Sequence, residues 1–167
     1  MRMFRVPTSR RQIRYRTVWM EGQGKIIPEY TAVIIKAFAK YSMGKAVIYC
    51  NTVKTTKDLA EALNCRAFYH HMEDKISTLE WFRTEGRIMV TTSAFGMGID
   101  IANIRLIIHI GWPRTLLDYA QESGRAGRDG LNSEAIVVIR QSQFTELGLS
   151  SENKLVPSFV ERKECKR

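Results

Sequence analysis

TTSAFGMGIDIANIRLIIHIGWPRTLLDYAQESGRAGRDG, residues 91–130, is the stretch that sets the reading of the whole chain. It holds a glycine-rich loop ending at Asp100, then the apolar run 105–110, of the kind buried in a parallel sheet. A T-x-x-D helix start follows at Thr115 and Asp118, and after the helix come Arg125 and Arg128 set among Gly124, Gly127 and Gly130. Glycine lets the backbone come close to an anion, and a guanidinium presents rigid donors to phosphate oxygens. The combination suits a nucleotide held against this surface, although glycine turns flanked by arginine also occur in ordinary basic loops.

Working outward, the same strand-then-helix unit recurs. Upstream, KAVIYC (45–50) is another short apolar run, followed by a helix that the spacing of Thr55 and Asp58 opens and that turns Leu59, Ala62 and Leu63 inward. A short strand is expected at 67–70, a helix over 72–83 with Ile76, Leu79 and Phe82 on one face, and a strand at 88–92. Before these, IRYRTVWM (13–20) alternates as a half-buried strand does. Pro28 suits the first position of a helix carrying Tyr30, Val33, Ile34, Ala37, Phe38 and Tyr41 up to a stop at Gly44. AIVVI (135–139) closes the set. Strands alternating with helices at this spacing predict an α/β fold, a three-layer parallel sheet with helices on both faces. Such sheets bind ligands beyond the carboxyl ends of their strands, so Asn51, Thr52, Thr92, Ser93, Gly111 and Trp112 should line one rim.

The domain reading is a basic linker or arm at 1–12, one α/β domain at 13–141 and a basic tail at 142–167. The 167 residues carry 26 Lys and Arg against 17 Asp and Glu, a net charge of +9, which points to polyanionic partners. Three cysteines, Cys50, Cys65 and Cys165, form no CxxC pair and suggest neither a disulfide framework nor a zinc site. His70, His71 and His109 are too scattered to argue a metal site and read as structural histidines. No apolar run approaches membrane-span length and the start lacks a secretory core, so an intracellular location without a membrane is expected, nuclear in a eukaryote.

With these residues placed, AFGMGID (94–100) and QESGRAGRDG (121–130) together resemble motifs five and six of superfamily 2 helicases, specifically of the RecQ family. KAVIYCNT (45–52) resembles that family's motif four, and AFYHHM (67–72) sits where the family has a strand ending in a Tyr-His pair. Gln121 stands where DEAD-box RNA helicases usually carry a histidine, which favours RecQ. The resemblance covers most of 13–139 and implies the second RecA-like lobe of a P-loop-type helicase. It implies that Arg128 is an arginine finger with Arg125 beside it on the phosphates, and that Gly98 and Asp100 contact the nucleotide, the carboxylate at its ribose. It also places Gln121 at the coupling surface between ATP and DNA.

The bland readings stay open beside these. The arginines could pair with Asp118, Glu122 or Asp129, and Asp100 could cap the following segment. Asn51, Thr52, Thr92 and Ser93 offer hydroxyls and amides to a nucleic-acid phosphate, or serve turn chemistry. Trp112 either stacks on a base or packs.

A nucleotide-hydrolysing motor needs a G-x-x-x-x-G-K-S/T loop and an acidic pair for Mg²⁺. Gly24-Lys25 and Gly44-Lys45 both lack the first glycine and the hydroxyl, and no DExH string occurs. ATP with its Mg²⁺ is therefore expected to be held by a first lobe outside this sequence, in cis or in trans. This chain would act on single-stranded or forked DNA with 3′–5′ polarity and would be inactive alone. The rival readings are a non-catalytic remnant that binds DNA or a partner, and an RNA helicase lobe.

Overall fold

The computed structural model describes residues 10–22, 24–95 and 100–141. Most of the arm, the tail and the loop that holds Gly98 lie outside them. The order is β1 (Ile13–Met20), α1 (Ile26–Phe38), β2 (Lys45–Cys50), α2 (Val53–Ala62), β3 (Arg66–Phe68), α3 (Lys75–Thr84), β4 (Ile88–Thr91), β5 (Ile104–Ile110), α4 (Leu116–Ser123) and β6 (Ser133–Arg140).

The six strands form one sheet in the order β1-β6-β5-β2-β4-β3, every neighbouring pair parallel. The expected three layers follow from the two-residue period of strand side chains. Leu106, Ile108 and Ile110 of β5 and Ile136 and Val138 of β6 turn toward α1 and α2, joining Tyr30, Ile34, Leu59 and Ala60. Ile107 and Ala135 turn the other way, with Phe82 of α3, while Val137 and Ile139 meet Tyr119 of α4. Strands covered on both faces have no solvated side, so β2, β5 and β6 are buried along their whole lengths.

β6 runs beyond the apolar run 135–139 because its polar ends find partners. Glu134 meets Arg16 at 3.4 Å and Lys40 at 3.7 Å. Arg140 donates to the Gly24 carbonyl at 2.8 Å and lies 3.3 Å from Glu29. A buried charge persists only when paired in this way.

The helix starts correct the sequence reading in three places. α1 begins at Ile26, so Pro28 sits inside the first turn, where its missing N–H costs nothing, and the helix ends at Phe38 well before Gly44. Gly44 instead adopts φ +95° in the turn, and a Cβ there would lie 2.9 Å from the Asn103 carbonyl. α2 is capped by Thr52, whose hydroxyl accepts from the Thr55 amide at 3.1 Å, so its buried stripe is Thr56, Leu59 and Ala60 and Ala62 faces out. α3 begins at Lys75, and Ile76 is 76% exposed because the buried stripe of this short helix is Thr78 and Phe82. The start of α4 is as expected, with the Thr115 hydroxyl accepting from the Asp118 amide at 3.0 Å. Among the described residues, no helix is long and apolar enough to cross a membrane.

Candidate functional site

Two groups of candidate residues emerge, a turn after α4 and a rim at the strand ends. The turn, residues 124–130, is built by short-range geometry. Gly124 donates its amide to the Ala120 carbonyl at 3.0 Å and Gly130 to Gly127 at 3.0 Å, while Gly127 reaches across to Ile104 at 2.9 Å. These glycine amides are thus spent inside the fold rather than offered to an anion. What glycine supplies here is space and conformation: Gly127 has φ +59°, and a Cβ on it would lie 2.7 Å from the Leu131 carbonyl.

The turn is also tied from outside. Arg10 donates to the Ala126 carbonyl at 3.4 Å and Gln12 to that of Gly127 at 3.2 Å, so the described end of the basic arm is docked on the turn. Buried Arg105 on β5 pairs with Asp129 and donates to the Ser133 hydroxyl at 3.1 Å. Burial would raise the Asp129 carboxyl, but hydrogen bonds from Arg105 and the Leu131 amide, with the Arg105 charge, hold it below the usual carboxylate range.

With Asp129 engaged by Arg105, Arg128 turns elsewhere. Its Nη1 donates to Asp100 Oδ1 at 2.6 Å, an exposed ion pair that brings together the ends of the two glycine-rich stretches. Gln121 is exposed on α4, and Arg125 is half-buried one helical turn further on, its amide donating to the Glu122 carbonyl at 3.2 Å. The Glu122 carboxylate lies 2.8 Å from His109 Nε2 on β5. His109 is a buried structural histidine bonded through Nε2, while its buried Nδ1 has no hydrogen-bond partner among the described residues, and the ring stacks on Tyr49 with centroids 5.1 Å apart. Burial pushes the Tyr49 hydroxyl well above the ordinary tyrosine range and Glu122 adds to this, whereas Arg125 and Arg128 pull against it.

The rim lies where β5, β2 and β4 end side by side. Asn51 and Ser93 are exposed, and with Trp112, His109 and Glu122 they border one small cavity. The Asn51 amide donates to the Trp112 carbonyl at 2.9 Å. Thr52 is exposed, its hydroxyl engaged as the α2 cap. Thr92 is buried, with its amide donating to Phe68 and its carbonyl accepting from Phe95, which is turn chemistry. Trp112 is half-buried and packs edge-to-face on Trp19 at 6.1 Å. This contact fills the packing role read for it.

His70 and His71 are exposed and touch only edge to face, and no group of three or more His, Cys, Asp or Glu among the described residues could hold a metal ion. Burial pushes the Cys50 and Cys65 thiols up to about 12, which leaves both unreactive at neutral pH. Sequence reasoning missed the Arg105–Asp129 and His109–Glu122 pairs. The signal was available in IRLIIHI, where two polar side chains interrupt a strand buried throughout and so require partners.

A lobe of this topology, with two arginines on a turn beside a strand-end rim, is the kind found in nucleic-acid motors. Residues 29–130 match the model of the helicase conserved C-terminal domain, and the chain belongs to that family. Its relatives bear out the RecQ resemblance. They include the ATP-dependent DNA helicase RecQ of Bacillus subtilis, 34% identical over 78% of this chain and 22% of the relative. The RecQ of Haemophilus influenzae is 34% identical over 66% of this chain and 19% of its own length. The ATP-dependent DNA helicase Q-like 2 of Arabidopsis thaliana is 34% identical over 71% and 18%. The chain thus spans about a quarter or less of the length of these curated relatives.

Solved structures support the RecA-like fold. A DEAD box protein from Methanococcus jannaschii superposes with a TM-score of 0.68 at 20% identity, covering 89% of this chain and 40% of that one. The E. coli DEAD-box protein SrmB gives 0.63 at 16%, covering 80% and 82%.

Proposed function

We propose that this chain works as the second lobe of a RecQ-type, ATP-dependent 3′–5′ DNA helicase, completing an ATP site whose phosphate loop and Mg²⁺ ligands belong to a first lobe. The observation that carries this reading is the meeting of Arg128 with Asp100 at 2.6 Å on an exposed surface. The two residues come from separate motifs, and each is a group that the resemblance assigns to the nucleotide. Nothing in the local fold requires their pairing, since the turn is already held by Gly127 and by Asp129.

Phosphoryl transfer is governed by positioning and by neutralising charge that spreads over the γ-phosphate. Arg128 has the reach and exposure to do this when Asp100 exchanges the guanidinium for ribose hydroxyls. Arg125, half-buried and fixed by its neighbours, supplies a second positive charge with little freedom to move. Gln121, one turn earlier on the same helix, lies on the side from which a nucleic-acid strand along the rim can influence the arginines. Asn51 and Ser93 are the exposed rim groups suited to a DNA phosphate, which positions a strand without reading its sequence. Thr52 and Thr92 shape the rim through their caps and turns, with the Thr52 hydroxyl and the Thr92 amide already bonded within the fold.

Mixing the chain with an isolated first lobe from a RecQ relative tests the proposal. The chain alone should show no appreciable ATPase, and the mixture should show hydrolysis stimulated by single-stranded DNA. DNA binding without any rescue would identify a non-catalytic binding module instead. Rescue that responds to RNA and not to DNA would identify an RNA helicase lobe.

A further inference from the structure

The pair of His109 with Glu122 does work that the motifs do not assign. His109 sits in the middle of the sheet on β5, 3% exposed, between Tyr49 and Tyr119, whose rings lie 5.1 and 5.2 Å from its own. The ring is thereby gripped on both sides. Its Nε2 meets Glu122 Oε2 at 2.8 Å, and both side chains are nearly excluded from water, at 4% and 12% exposure. Glu122 lies immediately after Gln121, and its backbone carbonyl accepts the Arg125 amide. The carboxylate of Glu122 is thus anchored to the sheet while its carbonyl holds the turn that carries an arginine.

α4 has one apolar anchor on the sheet, Tyr119, which packs on Tyr15 and clusters with Val137 and Ile139, and Glu122 is its buried polar one. Of its eight residues only Tyr119, Glu122 and Ser123 are buried, and Leu116 and Leu117 are exposed. A short helix held by so few apolar contacts can pivot, and a directional bond to a gripped ring removes that freedom. His109 and Glu122 both border the small cavity shared with Asn51, Ser93 and Trp112, a space of about 20 Å³ that admits a single water. The pair therefore adjoins the rim as well as the arginine turn.

From this geometry we infer that His109 is a positioning residue, which through its bond to Glu122 sets the orientation of the end of α4 and so places Gln121 and Arg125. The functional consequence rests on the helicase reading above, but the positioning itself does not. Removing the bond while keeping the ring packed should loosen the turn and leave the sheet intact. Restoring a donor at the same place should tighten it again.

Amide hydrogen exchange on the chain itself provides the test, comparing the wild type with His109→Phe and His109→Gln. In His109→Phe the Arg125 amide should exchange at least about tenfold faster, and in His109→Gln it should return to within about twofold of wild type, while the Leu59 and Val90 amides stay unchanged in all three. Equal exchange at Arg125 in all three proteins would overturn the inference. So would acceleration at Arg125, Leu59 and Val90 alike, since that is general destabilisation. With the complementing first lobe present, His109→Phe should lower kcat about tenfold with KM for ATP within about twofold. If the wild-type mixture shows no hydrolysis, the helicase reading falls, and the exchange measurement still decides the role of His109.

Discussion

The arginine turn and the strand-end rim lie close together yet are built on opposite terms. In the turn six of the seven amides of 124–130 donate within the fold, and the side chains around it are tied to β5 through Asp129 and Glu122. In the rim, Asn51 and Ser93 stand exposed beside the exposed Thr52 and the buried Thr92, which carry the local bonding. A rigid turn suits a group that must meet charge developing in a transition state, since reorganisation at that moment costs rate. A more open rim suits a surface that grips and releases a strand repeatedly. Under the proposed helicase reading, the difference separates chemistry from grip by how much of each region is already committed to itself.

The sharpest way to break that contrast is at the tip of the turn. Arg128→Ala in the two-lobe mixture should reduce DNA-stimulated hydrolysis on the order of 10³-fold or more, the range of an inserted arginine, with oligonucleotide affinity little changed. A loss no greater than tenfold would remove Arg128 from the chemistry. The next largest effect concerns the rigidity of the turn. Gly127→Ala must place a Cβ against the Leu131 carbonyl at a left-handed backbone position, so the urea midpoint should fall by the equivalent of roughly 2–4 kcal/mol. Unchanged stability would mean that the turn is free to adjust. The smallest effect belongs to the rim. The double variant Asn51→Ala, Ser93→Ala should weaken binding of an oligo-dT by roughly three- to tenfold, the worth of one or two hydrogen bonds, while a folded chain is retained. An equal loss of ATPase at saturating oligonucleotide would blur the division between the regions.

Much of this architecture is legible in the sequence because the sheet is buried on both faces. Runs such as KAVIYC and AIVVI leave few alternatives to a central strand, and the Thr115 cap follows from a hydroxyl three residues before an amide that needs it. α2 was harder. Thr52 and Thr55 both fit a cap, and only the path of the chain out of β2 selects the first. Ile76 misled for a related reason, since an apolar residue near the start of a short helix does not fix which stripe faces the sheet. The meeting of Arg128 and Asp100 was readable only as a shared ligand implied by the resemblance. Which acid each basic residue takes depends on register between strands, as when Arg105 claims Asp129 and leaves Arg128 to Asp100.

The pairing of the first strand with the last has a consequence for how the lobe is made. Ile13 lies beside Ser133 and Met20 beside Arg140, so β1 finds its only neighbour in the sheet after nearly all of the described chain has been synthesised. Emerging from a ribosome, the segments from β2 to β5 can settle first, while β1 waits for the strand it pairs with. Such late, long-range closure is slow, because the entropy of the intervening loop is lost before the contacts form. Arg10 and Gln12 bond the turn at Ala126 and Gly127, just ahead of β6. The turn at 124–130 should therefore be completed late, when the two ends of the described chain have met.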